Sequence, residues 1–100
     1  MAYKVGFLLK SSHSFLRSGK WDKRFYVLCT VGLIYMKEPS QKEVKLFPYQ
    51  DFKIVEIPYS KLKKAYVFEV KTLKGGTDNI ILQALSPTDY DEWLKAFAKF

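Results

Sequence analysis

The sequence predicts a mostly β fold: about seven short strands in a small sandwich or barrel, followed by one helix. Three observations carry this. Short apolar runs recur at close spacing between Gly, Pro, Ser and Asn/Asp turn signals from residue 4 to residue 85. After Ser86 the apolar period changes from two to that of a helix. A chain of 100 residues, 48% hydrophobic and 17% aromatic, is one domain's worth of material, expected to span 1–100 with a single core.

The elements follow in order. Residues 4–10 form an aliphatic run broken by Gly6, and residues 11–20 (SSHSFLRSGK) are loop-like by their Ser and Gly content. Residues 21–29 read as a strand, and Thr30, Val31 and Gly32 make a tight turn into a hairpin partner at 33–37. A loop with Pro39 and Ser40 leads to a short run at 44–47, stopped by Pro48, and then to a strand at 52–57, stopped by Pro58. In 65–72, Tyr66, Phe68 and Val70 alternate with Glu69 and Lys71, while Gly75 and Gly76 mark a turn before the last strand at 79–85. Ser86 is a good N-cap, Pro87 suits the first helical position, and Asp89, Asp91 and Glu92 favour the positive end of the helix dipole. Tyr90, Trp93, Leu94, Phe97 and Phe100 make one apolar stripe, with Asp91 and Lys95 as an i,i+4 pair on the other face. A helix of this kind over about 87–100 is expected to plug an open end or edge of the β structure.

Composition excludes several classes. The apolar content rules out disorder, and no apolar run approaches the ~20 residues of a membrane-spanning helix. The N-terminal residues lack a signal peptide's pattern, and Cys29 is the one cysteine, so a reducing, cytoplasmic setting is expected and neither an intrachain disulfide nor a cysteine metal site can form. The formal charge is +7, and it is uneven. From Pro87 onward two lysines face three acids, so the remainder of the chain carries +8. A positive body favours an anionic partner: a membrane surface, a nucleic acid or an acidic protein.

Taken in order, the residues resemble a pleckstrin-homology (PH) domain. Gly6-Phe7-Leu8-Leu9-Lys10 is similar to that family's G-x-L-x-K first strand, and Trp21 to Leu28 to its W-x-x-R-x-F-x-L second strand, with Tyr26 in the aromatic place. Leu33-Ile34-Tyr35, Phe68-Glu69-Val70 and Leu82-Gln83-Ala84 also fit, and Trp93 falls where the family keeps a tryptophan in its C-terminal helix. The resemblance covers nearly the whole chain. It implies a PH-like, bent antiparallel sandwich or barrel, with two nearly orthogonal sheets of four and three strands and the helix capping one corner.

Strand alternation points to a site. If Leu8 is buried, Lys10 shares its face; if Tyr26 and Leu28 are buried, Asp22 and Arg24 share theirs; if Leu33 is buried, Tyr35 and Lys37 fall into line. In each case an apolar face turns polar at one strand end; the first two of those ends flank the 11–20 loop, so Lys10, Arg24 and Tyr35 are expected to converge at a rim beside it. That loop adds Arg17 and Lys20, with Lys23 on the opposite strand face, so residues 10–24 hold five basic residues against one acid. Such a cluster suits a multiply phosphorylated ligand: Arg24 offers a planar fork, Lys10 and Lys20 point charges, Tyr35 a neutral donor. The resemblance implies phosphoinositide binding through a Lys ending the first strand and Lys/Arg-x-Arg in the second. Lys10 and Arg24 match the ends of that pattern, but its middle member is Asp22. An acid two residues from Arg24 competes with phosphate for it, so the expectation is attraction to anionic membranes without a fully equipped headgroup pocket. Phe15 and Leu16, mid-loop, are candidates for insertion into the interfacial region, or for packing back on the domain. Four cations near an anionic leaflet supply roughly 4 kcal/mol, enough for weak, salt-sensitive recruitment.

Other chemistry has little support. His13 stands alone in a Ser-rich loop, Ser11, Ser12 and Ser14 lack a triad context, and Gly75-Gly76 is not followed by the Lys-Ser/Thr of a phosphate loop. No cofactor, metal site or catalytic group is therefore expected. Lys61, Lys63 and Lys64, near Tyr59 and Tyr66, are either a secondary anionic contact or an exposed loop. The reading is a non-catalytic module, part of a larger protein, that binds phosphoinositides or other anionic phospholipids at the inner face of cytoplasmic membranes. The alternative is a protein-interaction module of the same fold with an acidic or small-GTPase partner. Nucleic acid is disfavoured, because the aromatics lie at core parity and not on an exposed stacking platform.

Overall fold

The computed structural model describes residues 2–11, 21–36, 44–73 and 79–99, the side chains of Ala2 and Leu62 excepted. Seven strands are present: β1 (Ala2–Ser11), β2 (Trp21–Cys29), β3 (Gly32–Met36), β4 (Lys45–Pro48), β5 (Phe52–Ile57), β6 (Val67–Thr72) and β7 (Ile80–Gln83). A one-turn helix, α1 (Tyr59–Leu62), separates β5 from β6, and α2 (Pro87–Lys99) ends the fold. All neighbours pair antiparallel in the order β4-β3-β2-β1-β7-β6-β5. The resemblance implies two sheets of four and three strands; the structure joins them in one seven-stranded sheet through a narrow seam, where Leu9 pairs with Gln83 and Lys10 with Leu82.

Period-two alternation builds the inner face. Lys4, Leu28, Leu33 and Phe47 form one cross-strand row, and Gly6, Tyr26, Tyr35 and Lys45 the next. Leu8, Tyr26, Leu28 and Leu33 are fully buried there, joined from the other half by Phe68, Val70 and Leu82. Stacked and edge-on rings run from Tyr26 through Tyr35, Phe47 and Phe52 to Phe97. A second small cluster, Ile57, Val67 and Ile81, is covered by Trp21. The turn between β2 and β3 demands glycine: Gly32 sits at φ 146°, and a Cβ there would lie 2.1 Å from the Phe47 carbonyl oxygen.

α2 begins as its sequence predicts, with the Asp89 N–H donating to Ser86 Oγ at 3.0 Å. Trp93 is fully buried, Ala96 nearly so, and Tyr90 and Phe97 pack against the same core. The expected Asp91–Lys95 pair does not form. The acids of the first turns instead serve a tertiary contact, in which the Lys4 ammonium lies 3.3 Å from Asp89, 3.1 Å from Glu92 and 5.2 Å above the Trp93 ring. On the other side, the Tyr90 hydroxyl donates to Glu56 Oε1 at 3.2 Å.

α1 stands where the sequence suggested only a loop. Pro58 is extended (φ −68°) and ends β5, and Lys63, in the left-handed region at φ 58°, donates its N–H to the Tyr59 carbonyl and closes the turn. Tyr66, also left-handed at φ 64°, delays β6 to Val67, two residues past the expected start. Trp93→Ala is expected to lower stability by about 3–5 kcal/mol, read as a fall in the urea midpoint with retained β-rich circular dichroism at low denaturant.

Candidate functional site

The polar end of the inner face is built by β1 to β4. Lys10 pairs directly with Asp22, and Leu8 with Arg24, so the basic side chain of each strand lies two residues from the buried leucine or tyrosine, on the same face. Tyr35 pairs with Tyr26 on one side and with Lys45 on the other. Its ring is stacked at 5.3 Å on Tyr26 and 6.1 Å on Phe47, which fixes its orientation. The Lys45 ammonium stands 5.7 Å above the Phe47 ring. Lys10, Arg24, Tyr35 and Lys45 therefore share one face and one end of the sheet.

Their electrostatics are mutual. Burial holds the Lys10 ammonium below the ordinary lysine value; the charges of Arg24 and Lys45 lower it further, and Asp22 opposes them. Arg24 Nη1 donates to the Lys23 carbonyl at 2.9 Å, and Nη2 lies 3.8 Å from Asp22 Oδ2. These contacts engage only part of a five-donor fork. Both partners of the ion pair are only about one-quarter exposed, so the attraction is less screened than at an open surface. Beneath them, the buried Tyr26 hydroxyl has no hydrogen-bond partner among the described residues, and its proton is held more tightly than in free tyrosine, by burial first and then by Tyr35.

The sequence-predicted residues divide into three groups. Lys10, Arg24 and Tyr35 come together, and Asp22 lies beside Arg24 as the i,i+2 spacing requires. Lys23 points from the other face of β2, its ammonium 4.8 Å above the Phe7 ring, and does not join them. Arg17, Lys20, Phe15 and Leu16 lie outside the described residues, as do His13 and the Gly75-Gly76 turn. Ser11, by contrast, is buried at the end of β1. Sequence reasoning missed Lys45. Its spacing of two from Phe47 was available as a signal, but β4 is four residues long and its pairing with β3 is a tertiary fact. Of the other basic stretch, Lys64 lies 5.4 Å above the Trp21 ring, away from the inner face. Among the described residues there is no group of three potential metal ligands and no helix long and apolar enough to cross a membrane.

With this geometry in place, the comparisons with known proteins are direct. The family model for the PH domain matches residues 2–100, and the chain belongs to the PH domain family. It is 24% identical over 98 residues to mouse pleckstrin homology domain-containing family A member 6; the match covers 96% of this chain and spans only 8% of the mouse protein's length. The fold is similar to that of the PH domain of human pleckstrin homology domain-containing protein family A member 5, at 17% identity and TM-score 0.75, covering 98% of this chain and 75% of that one. It is also similar to the C-terminal PH domain of pleckstrin crystallised in complex with D-myo-Ins(1,2,3,4,5)P5, at 22% identity and TM-score 0.73, covering 99% of this chain and 97% of that one.

The lowered Lys10 value has a stability consequence. The unfolded chain binds the Lys10 proton more tightly than the folded one, so stability rises as pH passes from the lowered value toward 10.5, and the cost is fully present at neutral pH. Lys10→Gln is expected to raise the thermal midpoint at pH 7, and that gain shrinks as pH approaches 10.5. Paired melting curves at pH 7 and in the alkaline range check both signs.

Proposed function

We propose that the chain is a non-catalytic membrane-targeting module that binds anionic phospholipid headgroups, phosphoinositides among them, at the Lys10–Arg24–Lys45 end of its inner face. One observation carries this reading: three cations from three strands are held together, with a partly buried ammonium among them whose charge is more costly there than in water. A phosphate placed there relieves Lys10 and accepts from the unused donors of the Arg24 fork, while Tyr35 supplies a neutral hydroxyl. That a similarly folded PH domain, from pleckstrin, was crystallised with an inositol pentakisphosphate supports the ligand class.

The 11–20 loop completes the proposal. Arg17 and Lys20 add charge at the same end, Lys23 adds diffuse attraction from the outer face, and Phe15 and Leu16 enter the interfacial layer. Asp22 sets the limit. It occupies Arg24 from within, so headgroup binding must displace or share an existing ion pair, and recognition is weak and salt-sensitive. The module then acts as a peripheral domain at the cytoplasmic face of membranes. Residues 1–100 work as one unit, within a longer protein.

The test is liposome sedimentation with defined phosphoinositides, phosphatidylserine and neutral lipid at low and physiological salt. Binding above the neutral control, weakening with salt, is expected. Arg24→Ala is expected to weaken it by about tenfold. Asp22→Lys, which changes the rim by two charges, is expected to strengthen it by roughly tenfold or more. Sedimentation equal to the neutral control, or indifference to both substitutions, overturns the assignment.

A further inference from the structure

The sheet has two edges, and they are not alike. β4 is four residues long and ends in Pro48, which blunts it as a template for pairing. β5 is six residues long, with neither proline nor bulge, and among the described residues it is paired on one side only. The Leu73 N–H donates to the Asp51 carbonyl at 2.9 Å, and the Thr72 N–H turns away from β5 to Asn79 Oδ1. Antiparallel pairs alternate between bonded and non-bonded, so the bonded positions of β5 are Lys53, Val55 and Ile57. The backbone N–H and C=O groups of Ile54 and Glu56 therefore face the open edge.

Those groups border a groove. It measures about 320 Å³ and lies between β5 and the C-terminal half of α2, lined by Phe52, Lys53, Ile54 and Glu56 on the strand and Leu94, Phe97 and Ala98 on the helix. Its volume is at the small end of ligand pockets, room for a few side chains and not for a helix. The charges at its border are also arranged. On the outer face Lys53 stands directly across from Lys71, both are exposed, and neither has an acidic partner among the described residues. Like charges at directly opposed positions are destabilising. On the groove face Glu56 is exposed, and among the described residues its carboxylate accepts only from Tyr90.

We propose that the β5 edge and α2 form a docking groove for an extended segment of another protein, which adds antiparallel to β5 as a further strand. The register dictates its chemistry. Running along β5 from Glu56 to Phe52, the segment carries a basic residue opposite Glu56, any strand-compatible residue opposite Val55, and an apolar residue opposite Ile54 that enters the groove against Leu94 and Ala98. An acidic residue follows opposite Lys53, and a second apolar residue closes the pattern. The acid relieves the Lys53–Lys71 repulsion, and the backbone of Ile54 and Glu56 gains the partners that the edge leaves to solvent. This surface is on a different strand from the Lys10–Arg24–Lys45 end and stands independently of the lipid reading.

The probe is the peptide acetyl-Thr-Lys-Val-Leu-Glu-Leu-Thr-amide, with a control in which its Lys and Glu are exchanged, titrated into the isotopically labelled full chain. The expected result is peptide-dependent shifts and slowed solvent exchange at the Ile54 and Glu56 amides, with binding of the control weaker by roughly two- to fivefold per mismatched pair. Lys53→Glu, at an exposed site, is expected to remove or invert the preference between the two peptides. Leu94→Glu is expected to abolish binding of both while the circular dichroism spectrum is unchanged. The proposal is overturned by an absence of shifts at millimolar peptide, by a preference that Lys53→Glu leaves unaltered, or by shifts mapping to β4 or to the Lys10 end. It is equally overturned if the Ile54 and Glu56 amides respond only to protein concentration, which would make the occupant a second copy of the chain.

Discussion

A strand cannot choose the face of one side chain without fixing that of the residue two positions away. This constraint governs the molecule. Burying Leu8 commits Lys10; burying Tyr26 and Leu28 commits Arg24 and Asp22; burying Leu33 and Phe47 commits Tyr35 and Lys45. The core and the cationic end are thus one continuous surface, and the hydrophobic effect that closes the core also draws the cations out of bulk water. The depressed basicity of Lys10 is the electrostatic trace of that coupling. No separate device is needed to pre-organise the site, because the packing of leucines and tyrosines does it.

How much of this could be read beforehand follows from the range of each interaction. Local features were legible. The strand from Trp21 to Cys29, the Ser86 cap of the helix and the Asp22–Arg24 pair all depend on residues within a few positions of one another. Features that depend on which strand lies beside which were not. Lys45 joins the cationic end through pairing with β3, Lys4 meets Glu92 across 88 positions, and Trp21 covers Ile57, Val67 and Ile81 from three other strands. That β5 is an edge is likewise a property of strand order, invisible in its own six residues. α1 escaped because its one turn is closed by Lys63 in a left-handed conformation that lysine seldom adopts.

Asp22 shows how one acid serves fold and function in opposite senses. In the fold it partly neutralises Arg24 and Lys10, reducing the repulsion of three like charges in a half-buried setting. Toward an anionic ligand it is a competitor already in place. The same residue that makes the cluster tolerable in the fold would therefore restrain the affinity proposed for it, a trade expected wherever a binding site is built from the margin of a core.

The narrow seam between β1 and β7 gives α2 a second task. Among the described residues two paired positions connect the halves of the sheet, and one of them is Lys10. The helix grips both halves: Lys4 of β1 through Asp89 and Glu92, and β5 and β6 through Tyr90 and Phe97. It works as a splint across a joint. The alignment of the cations is thus maintained partly from the far end of the molecule, and loosening the helix would unfasten Lys10 from Leu82 before it disturbed Arg24 or Tyr35, which are secured within their own half.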